Sequence, residues 1–322
     1  MPVVHVLLRW FHDAVWAVAG VLRWMSTPFW MRKLPPFCSD WGMMPAPPAR
    51  IAPAPPPPLD AVHGGLLGVI VATTLPVSAI QPVLPRGVVF PAGVKPSDEY
   101  PVSIAFGLQH KVSLQRFPRL PGASYLEFAI GVADLRLEQP MDGFSGPCGI
   151  LGRLDLNELL PIVLGRVMGL QKVLRLVRTN EDAFGLRSFW ARSTVAYGAL
   201  RKKNQPLSAL DVPSLAPIIR TYAQPVVSRS MFGTLAFTAF DWHWDQGFAR
   251  ETSCDLTIDE GLGKGHYAHV QGQPSPGCSG AWQIRVPWTM VPFQQPSRLT
   301  AALPKPLMPA QPSVVPPARP RG

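Results

Sequence analysis

Apolar and other residues alternate with a period of two most cleanly near the end of this chain's apolar region. In "AWQIRVPWTMV" (281–291), Trp282, Ile284, Val286, Trp288 and Met290 fall on one face. That is the mark of a strand, whose successive side chains point to opposite sides. Pro287 has no N–H to offer a neighbour, so it predicts an edge or a bulge at its own position. The same apolar, β-branched character predicts strands over 100–114, 124–137, 172–179 and 231–244. Within 124–137, Leu126, Phe128, Ile130 and Val132 share one face and leave Tyr125, Glu127 and Ala129 on the other. Two segments break the period. "LDLNELLPIVLGRVMG" (154–169) predicts a helix, with Asp155 or Asn157 as its cap, Pro161 in its first turn and Gly169 as its stop. "SALDVPSLAPIIRTYA" (208–223) predicts a second, shorter one. Many strands and few helices make the chain mainly β (α+β), as a large antiparallel sheet or barrel. A closed or half-closed barrel of this size can hold a small-molecule cavity.

Proline marks where that pattern ends. Residues 45–58, "PAPPARIAPAPPPP", and the tail "LPKPLMPAQPSVVPPARPRG" (303–322) lack donors and have fixed φ, so both read as extended, disordered chain. The expected organisation is an extension over 1–60, a barrel domain over 61–298 and a proline-rich tail over 299–322. The apolar run in the first 25 residues is interrupted by Arg9, His12 and Asp13, which makes it a poor membrane span. An amphipathic surface helix, a signal peptide, or a leader with no folded role (Met25 offers an alternative start) are the readings open for it.

Composition narrows the function classes. The 322 residues are 47% hydrophobic and only 16% charged, enough for a sizeable core. The net charge of +10 lies mostly in the two ends, since 61–297 carries 21 Lys and Arg against 17 Asp and Glu. No dense basic stripe interleaved with aromatics appears, which argues against nucleic-acid binding. The four cysteines, Cys38, Cys148, Cys254 and Cys278, form no CxxC pair, so neither a zinc site built from cysteines nor a disulfide framework is expected. A reducing, cytoplasmic compartment is the simpler reading.

Few residues are then left to carry chemistry. Only 8 of the 30 basic residues are lysines, and Lys172 opens a strand just after "GRVMGLQ", in strongly apolar company. Its ammonium either reaches solvent or sits in a pocket. In a pocket, lost hydration lowers its pKa and frees the amine to attack a carbonyl. Glu127 poses the same choice, since its face meets either water or a lumen. His266 and His269 in "GHYAH" follow "DEGLGKG" and read as part of a glycine-rich loop, not as a metal pair. That loop lacks the spacing of a phosphate-binding one. Ser145 and Cys148 in "GFSGPCG" have no partner histidine nearby in the sequence.

Taken in order, "LPRGVVFPAGVKPSDEYPVSIAFGLQ" (84–109), "YLEFAIGV" (125–132), "LPIVLGRVMGLQKVLRL" (160–176), "MFGTLAFTAFDW" (231–242) and "SGAWQIRVPWTMVPFQQP" (279–296) resemble the acetoacetate decarboxylase family. The sharpest match is Gly165-Arg166, Gly169 and Lys172. The resemblance implies a cone-like, largely antiparallel β-barrel with a few peripheral helices and a buried active site that needs no metal or organic cofactor. It implies that Lys172 forms a Schiff base with a β-keto acid or related carbonyl compound and that Glu127 assists, with Tyr125 and Arg166 at substrate-binding positions. Two family features differ. A proline and two adjacent lysines are replaced by Gln171, Lys172 and Val173, and an arginine before the first strand is replaced by the run His63-Gly64-Gly65. A non-catalytic barrel that binds an apolar or carbonyl-bearing small molecule is the alternative. The expected partner is a small molecule, with formation of a homo-oligomer left open.

Overall fold

The computed structural model describes residues 61–299 except 116–121, 159–160, 163–164, 167–168, 180–182, 189–193, 202–204, 231–232, 272, 274–277, 295 and 298. The extension 1–60 and nearly all of the tail 299–322 lie outside the described residues. The strands in chain order are β1 (Val62–Pro76), β2 (Val88–Val89), β3 (Glu99–Leu114), β4 (Ala123–Leu137), β5 (Cys148–Leu156), β6 (Lys172–Thr179), β7 (Ala183–Ser188), β8 (Thr194–Arg201), β9 (Leu207–Ser208), β10 (Val226–Arg229), β11 (Leu235–Trp242), β12 (Phe248–Glu251), β13 (Ser253–Ile258), β14 (Gly265–His269) and β15 (Cys278–Gln294). Among the described residues, the α-helices with defined bounds are the short α1 (Val77–Ile80) and α2 (Ala216–Tyr222), which lie between them.

Seven strands close on themselves in the order β5-β10-β11-β15-β1-β3-β4, and the β4–β5 pairing completes the ring. The pairings are antiparallel except β5–β6 and β5–β10. β6, β7, β8, β13 and β14 continue from β5 as a second sheet. The barrel wall is therefore apolar on both faces. Inward residues such as Leu66, Ala129, Leu154 and Trp288 form one buried cluster. Outward ones such as Val69, Ile104, Phe128 and Ile130 form a second cluster with Phe184, Leu186 and Leu256 of the added sheet. Burial on both sides explains why these strands carry so few charges.

The predicted strands are present, with β1, β2, β5, β7, β8, β9, β10, β12, β13 and β14 in addition. Trp282, Ile284, Val286, Trp288 and Met290 share the inner cluster as the alternation implies. Pro287 does not mark an edge, because β15 is internal to the sheet. It pairs with Gly65 of β1, and on its other side it falls between the stretches paired with β12 and β11. The His243 N–H bonds the Pro287 carbonyl there, so the proline nitrogen faces a break in the ladder where no donor is needed.

The two helices need correction. Leu154–Leu156 end β5, held between β4 and β6. Asp155 is not a cap: it accepts from Arg153 at 2.7 Å and Arg175 at 3.3 Å. Asn157 Oδ1 accepts the Leu126 N–H at 2.8 Å, extending the β4 contact. Helical conformation is described only later, at Pro161, Ile162, Gly165 and Arg166. The segment 208–223 splits into 3₁₀ turns at Ala209–Asp211 and Pro213–Leu215 followed by α2. Pro213 and Pro217 each open a new turn, because neither can donate to the preceding one.

"GHYAH" is not a loop but strand β14, paired with β13. At i, i+3 on a strand its histidines point to opposite faces. His266 is exposed, 3.5 Å from Asp255, whereas His269 is buried, 3.3 Å from Glu251. The glycine-rich turn before it offers carbonyls: those of Glu260 and Leu262 accept from the Arg153 guanidinium. It cradles a cation, the opposite of a phosphate loop.

Candidate active site

Strand register brings the candidate residues together. Lys172 of β6 lies opposite Leu154 of β5, and Leu154 lies opposite Ala129 of β4. Residues directly opposite share a face, and Glu127 is two residues before Ala129 on that same face. Two long side chains then span the width of β5. Lys172 Nζ stands 3.8 Å from Glu127 Oε2 and 5.9 Å from the centre of the Tyr125 ring.

The turn before β6 aims the lysine. Gly169, at φ +82°, ends the preceding helical turn in the left-handed conformation that glycine adopts without strain. The Leu170 N–H bonds the Gly165 carbonyl at 2.8 Å and the Gly169 N–H bonds the Arg166 carbonyl at 3.0 Å, the paired bonds of a Schellman cap. Gly165 faces the lysine stem, where a Cβ would strike Lys172 Cδ and Cε. Arg166 lies outside. It is exposed, and its guanidinium donates to the Lys172 backbone carbonyl at 3.2 and 3.3 Å. It steadies the strand start from the far side and lines an outer cleft with Arg86 and Arg229.

Lys172 is only 7% exposed. Burial holds its amine below the ordinary lysine pKa, and the adjacent Glu127 carboxylate opposes that shift in part. Glu127 is itself oriented. Trp288 Nε1–H donates to Gln109 Oε1 at 3.0 Å, and Gln109 Nε2–H donates to Glu127 Oε1 at 3.1 Å. An indole only donates, so the Gln109 amide has one consistent orientation, with its NH₂ toward the carboxylate. Tyr222 contributes a phenol pushed up to about 12, first by burial and then by the Glu127 carboxylate, against a bond to the Ser103 hydroxyl.

These groups line a cavity of about 140 Å³ whose walls are mostly apolar, with Phe240, Trp242, Trp288 and Met290 on one side. Trp242 packs edge-on against Tyr222 at 5.1 Å, and Phe240 packs edge-on against Trp288 at 6.1 Å. Lys172, Glu127 and Tyr125 line it and Arg166 does not. Period-two reading of 124–137 and 281–291 put Glu127 and Trp288 on the faces where they occur. It did not single out Gln109, Tyr222 or Trp242. A polar Gln109 ending the apolar run "VSIAFGL" was the available signal for the first. Cys148, by contrast, is buried and its thiol is pushed up to about 12 by burial, which removes it as a nucleophile.

Two outcomes follow from this geometry. Reaction of the Lys172 amine with a small acylating reagent is expected to rise with pH through a midpoint below that of a free lysine, because the neutral amine is the reactive form. Glu127→Gln is expected to move that midpoint lower still, since it removes the charge that favours the ammonium; peptide-resolved acetylation rates measure both. Gly165→Ala is expected to slow attack by Lys172 about 100-fold, the scale of a 1 Å misplacement. Its urea midpoint should hardly fall, because alanine is the better helix former. An unchanged rate would show that the stem has room to spare.

No protein-family profile matches the chain, and no curated protein does. Among solved structures it is similar to an acetoacetate decarboxylase from Legionella pneumophila, with 16% identity and a TM-score of 0.48 over 77% of this chain and 92% of that one. It is also similar to the enduracididine biosynthesis enzyme MppR complexed with pyruvate, with 16% identity and a TM-score of 0.45 over 76% and 91% of the two chains. An acetoacetate decarboxylase-like enzyme from Sphingomonas wittichii gives 11% identity and a TM-score of 0.45 over 76% and 95%. The solved structures that this chain is similar to thus include acetoacetate decarboxylase, an acetoacetate decarboxylase-like enzyme and an enduracididine biosynthesis enzyme.

Proposed function

We propose that this protein is a Schiff-base enzyme of the lyase class, in which the Lys172 amine condenses with the carbonyl of a β-keto acid or related carbonyl compound. The observation that carries the reading is the position of that amine: buried in an apolar cavity, below its ordinary pKa, and 3.8 Å from Glu127. Desolvation makes the neutral amine available as the nucleophile. Once the imine is protonated it draws electrons from a bond on the carbon next to the imine carbon, leaving an enamine. Glu127, fixed through Gln109 and Trp288, faces the nitrogen and takes or returns the protons that addition and water loss require. Arg166 acts as a positioning residue through the Lys172 carbonyl.

Borohydride added with a panel of small ketones and keto acids tests this reading. One reduced adduct per chain is expected with at least one of them. No adduct across the panel would leave the cavity as a binding site without covalent chemistry.

A further inference from the structure

The charge inventory of the cavity limits what it accepts. Among its described lining residues the charged side chains are Lys172 and Glu127, and these face each other. The polar groups around them are engaged within the wall. Gln109 bridges Trp288 and Glu127, Ser103 bonds Tyr222, and Gln224 bonds Asp134. The nearby arginines front the outer cleft: Arg166 donates to the Lys172 carbonyl and Arg229 to that of Gly233.

We propose that the substrate is an uncharged aldehyde or ketone with an apolar body, and that it carries no carboxylate. This rests on the Schiff-base reading above and narrows it. The amine nitrogen bonds to the carbonyl carbon, and the carbonyl oxygen leaves as water with the two amine hydrogens. Protonation of the imine then puts one positive charge where the ammonium stood. An uncharged substrate therefore preserves the balance of one cation against Glu127 from free site to iminium. A keto acid brings a second anion into an apolar cavity whose cation is already matched. It loses its hydration and meets a carboxylate, the juxtaposition that electrostatic complementarity selects against. The aromatic wall of Phe240, Trp242 and Trp288 suits an apolar body.

The test compares three compounds of nearly equal size: 4-methyl-2-pentanone, 3-oxobutanoate and the methyl ester of 3-oxobutanoate. Each is reduced with borohydride on the full-length protein, and the adduct is read on the Lys172 peptide. The ester controls for the electrophilicity of a β-dicarbonyl. The ketone and the ester are expected to label Lys172 at least about tenfold faster than the acid, counting acid adducts both intact and after loss of CO₂. Glu127→Gln is expected to narrow that ratio severalfold, a within-variant comparison that a general loss of reactivity does not move. Labelling by the acid as fast as by the ester, or a ratio unchanged in Glu127→Gln, overturns the proposal while leaving the Schiff base intact. Failure of all three to label Lys172 overturns the Schiff-base reading itself.

Discussion

Lys172→Met is expected to reduce imine trapping at this site by on the order of 10⁴-fold or more, the scale on which removal of a nucleophile acts. Methionine keeps the apolar stem against Gly165 and fills nearly the same volume, so packing is retained while the amine is lost. Glu127 keeps the Gln109 N–H as a partner in the variant, which limits the cost of removing its cation. A folded variant with no trapping assigns the chemistry to this one nitrogen. A folded variant that traps carbonyl compounds at the original rate moves it elsewhere.

Asp155→Ala is expected to destabilise the protein by about 3–5 kcal/mol, the range for breaking a buried ion pair from one side. Asp155 is 1% exposed and receives Arg153 on one oxygen and Arg175 on the other. Arg175 also reaches Glu260 at 3.0 Å. The carboxylate thus ties β5 to β6 and, through Arg153, to the turn before β14. The alanine variant leaves a nearly buried Arg153 with carbonyls alone. Asp155→Asn should cost less, since it keeps an acceptor in place. Urea midpoints measure both, and an alanine midpoint within about 1 kcal/mol of the parent would show that the cluster is solvated. Because β6 begins at Lys172, loosening this seam should also slow trapping.

Alternation carried the reading of β15 and of the faces of β4, while apolar, β-branched composition carried β3, β6 and β11. Alternation also placed Tyr125, Glu127 and Ala129 on a common face. Whether that face met water or a lumen depended on a pairing that no local pattern contains: β4 against β5 and β5 against β6, which lays Lys172, Leu154 and Ala129 in one row. Lys172 looked the same in either case. The helix expected over 154–169 failed at its start because Asp155, a residue that often caps helices, serves here as a buried counter-ion for two arginines distant in sequence. The second helix forms only over its last part, Ala216–Tyr222, for a local reason that was legible, its two prolines. Gln109 and Trp242 matter only through what they face across the barrel, and Gly165 only through the lysine stem it admits. Phe184, Leu186, Leu256 and Ile258 of the added sheet pack against the barrel wall, a contact between strands distant in sequence that no local pattern contains.

The most direct measurement is the mass of the tryptic peptides bearing lysine after borohydride reduction with an uncharged ketone. The account predicts that the adduct lies on the Lys172 peptide, with exposed lysines such as Lys95 and Lys111 unlabelled under the same conditions. An adduct spread evenly over the surface lysines and missing from Lys172 would contradict it.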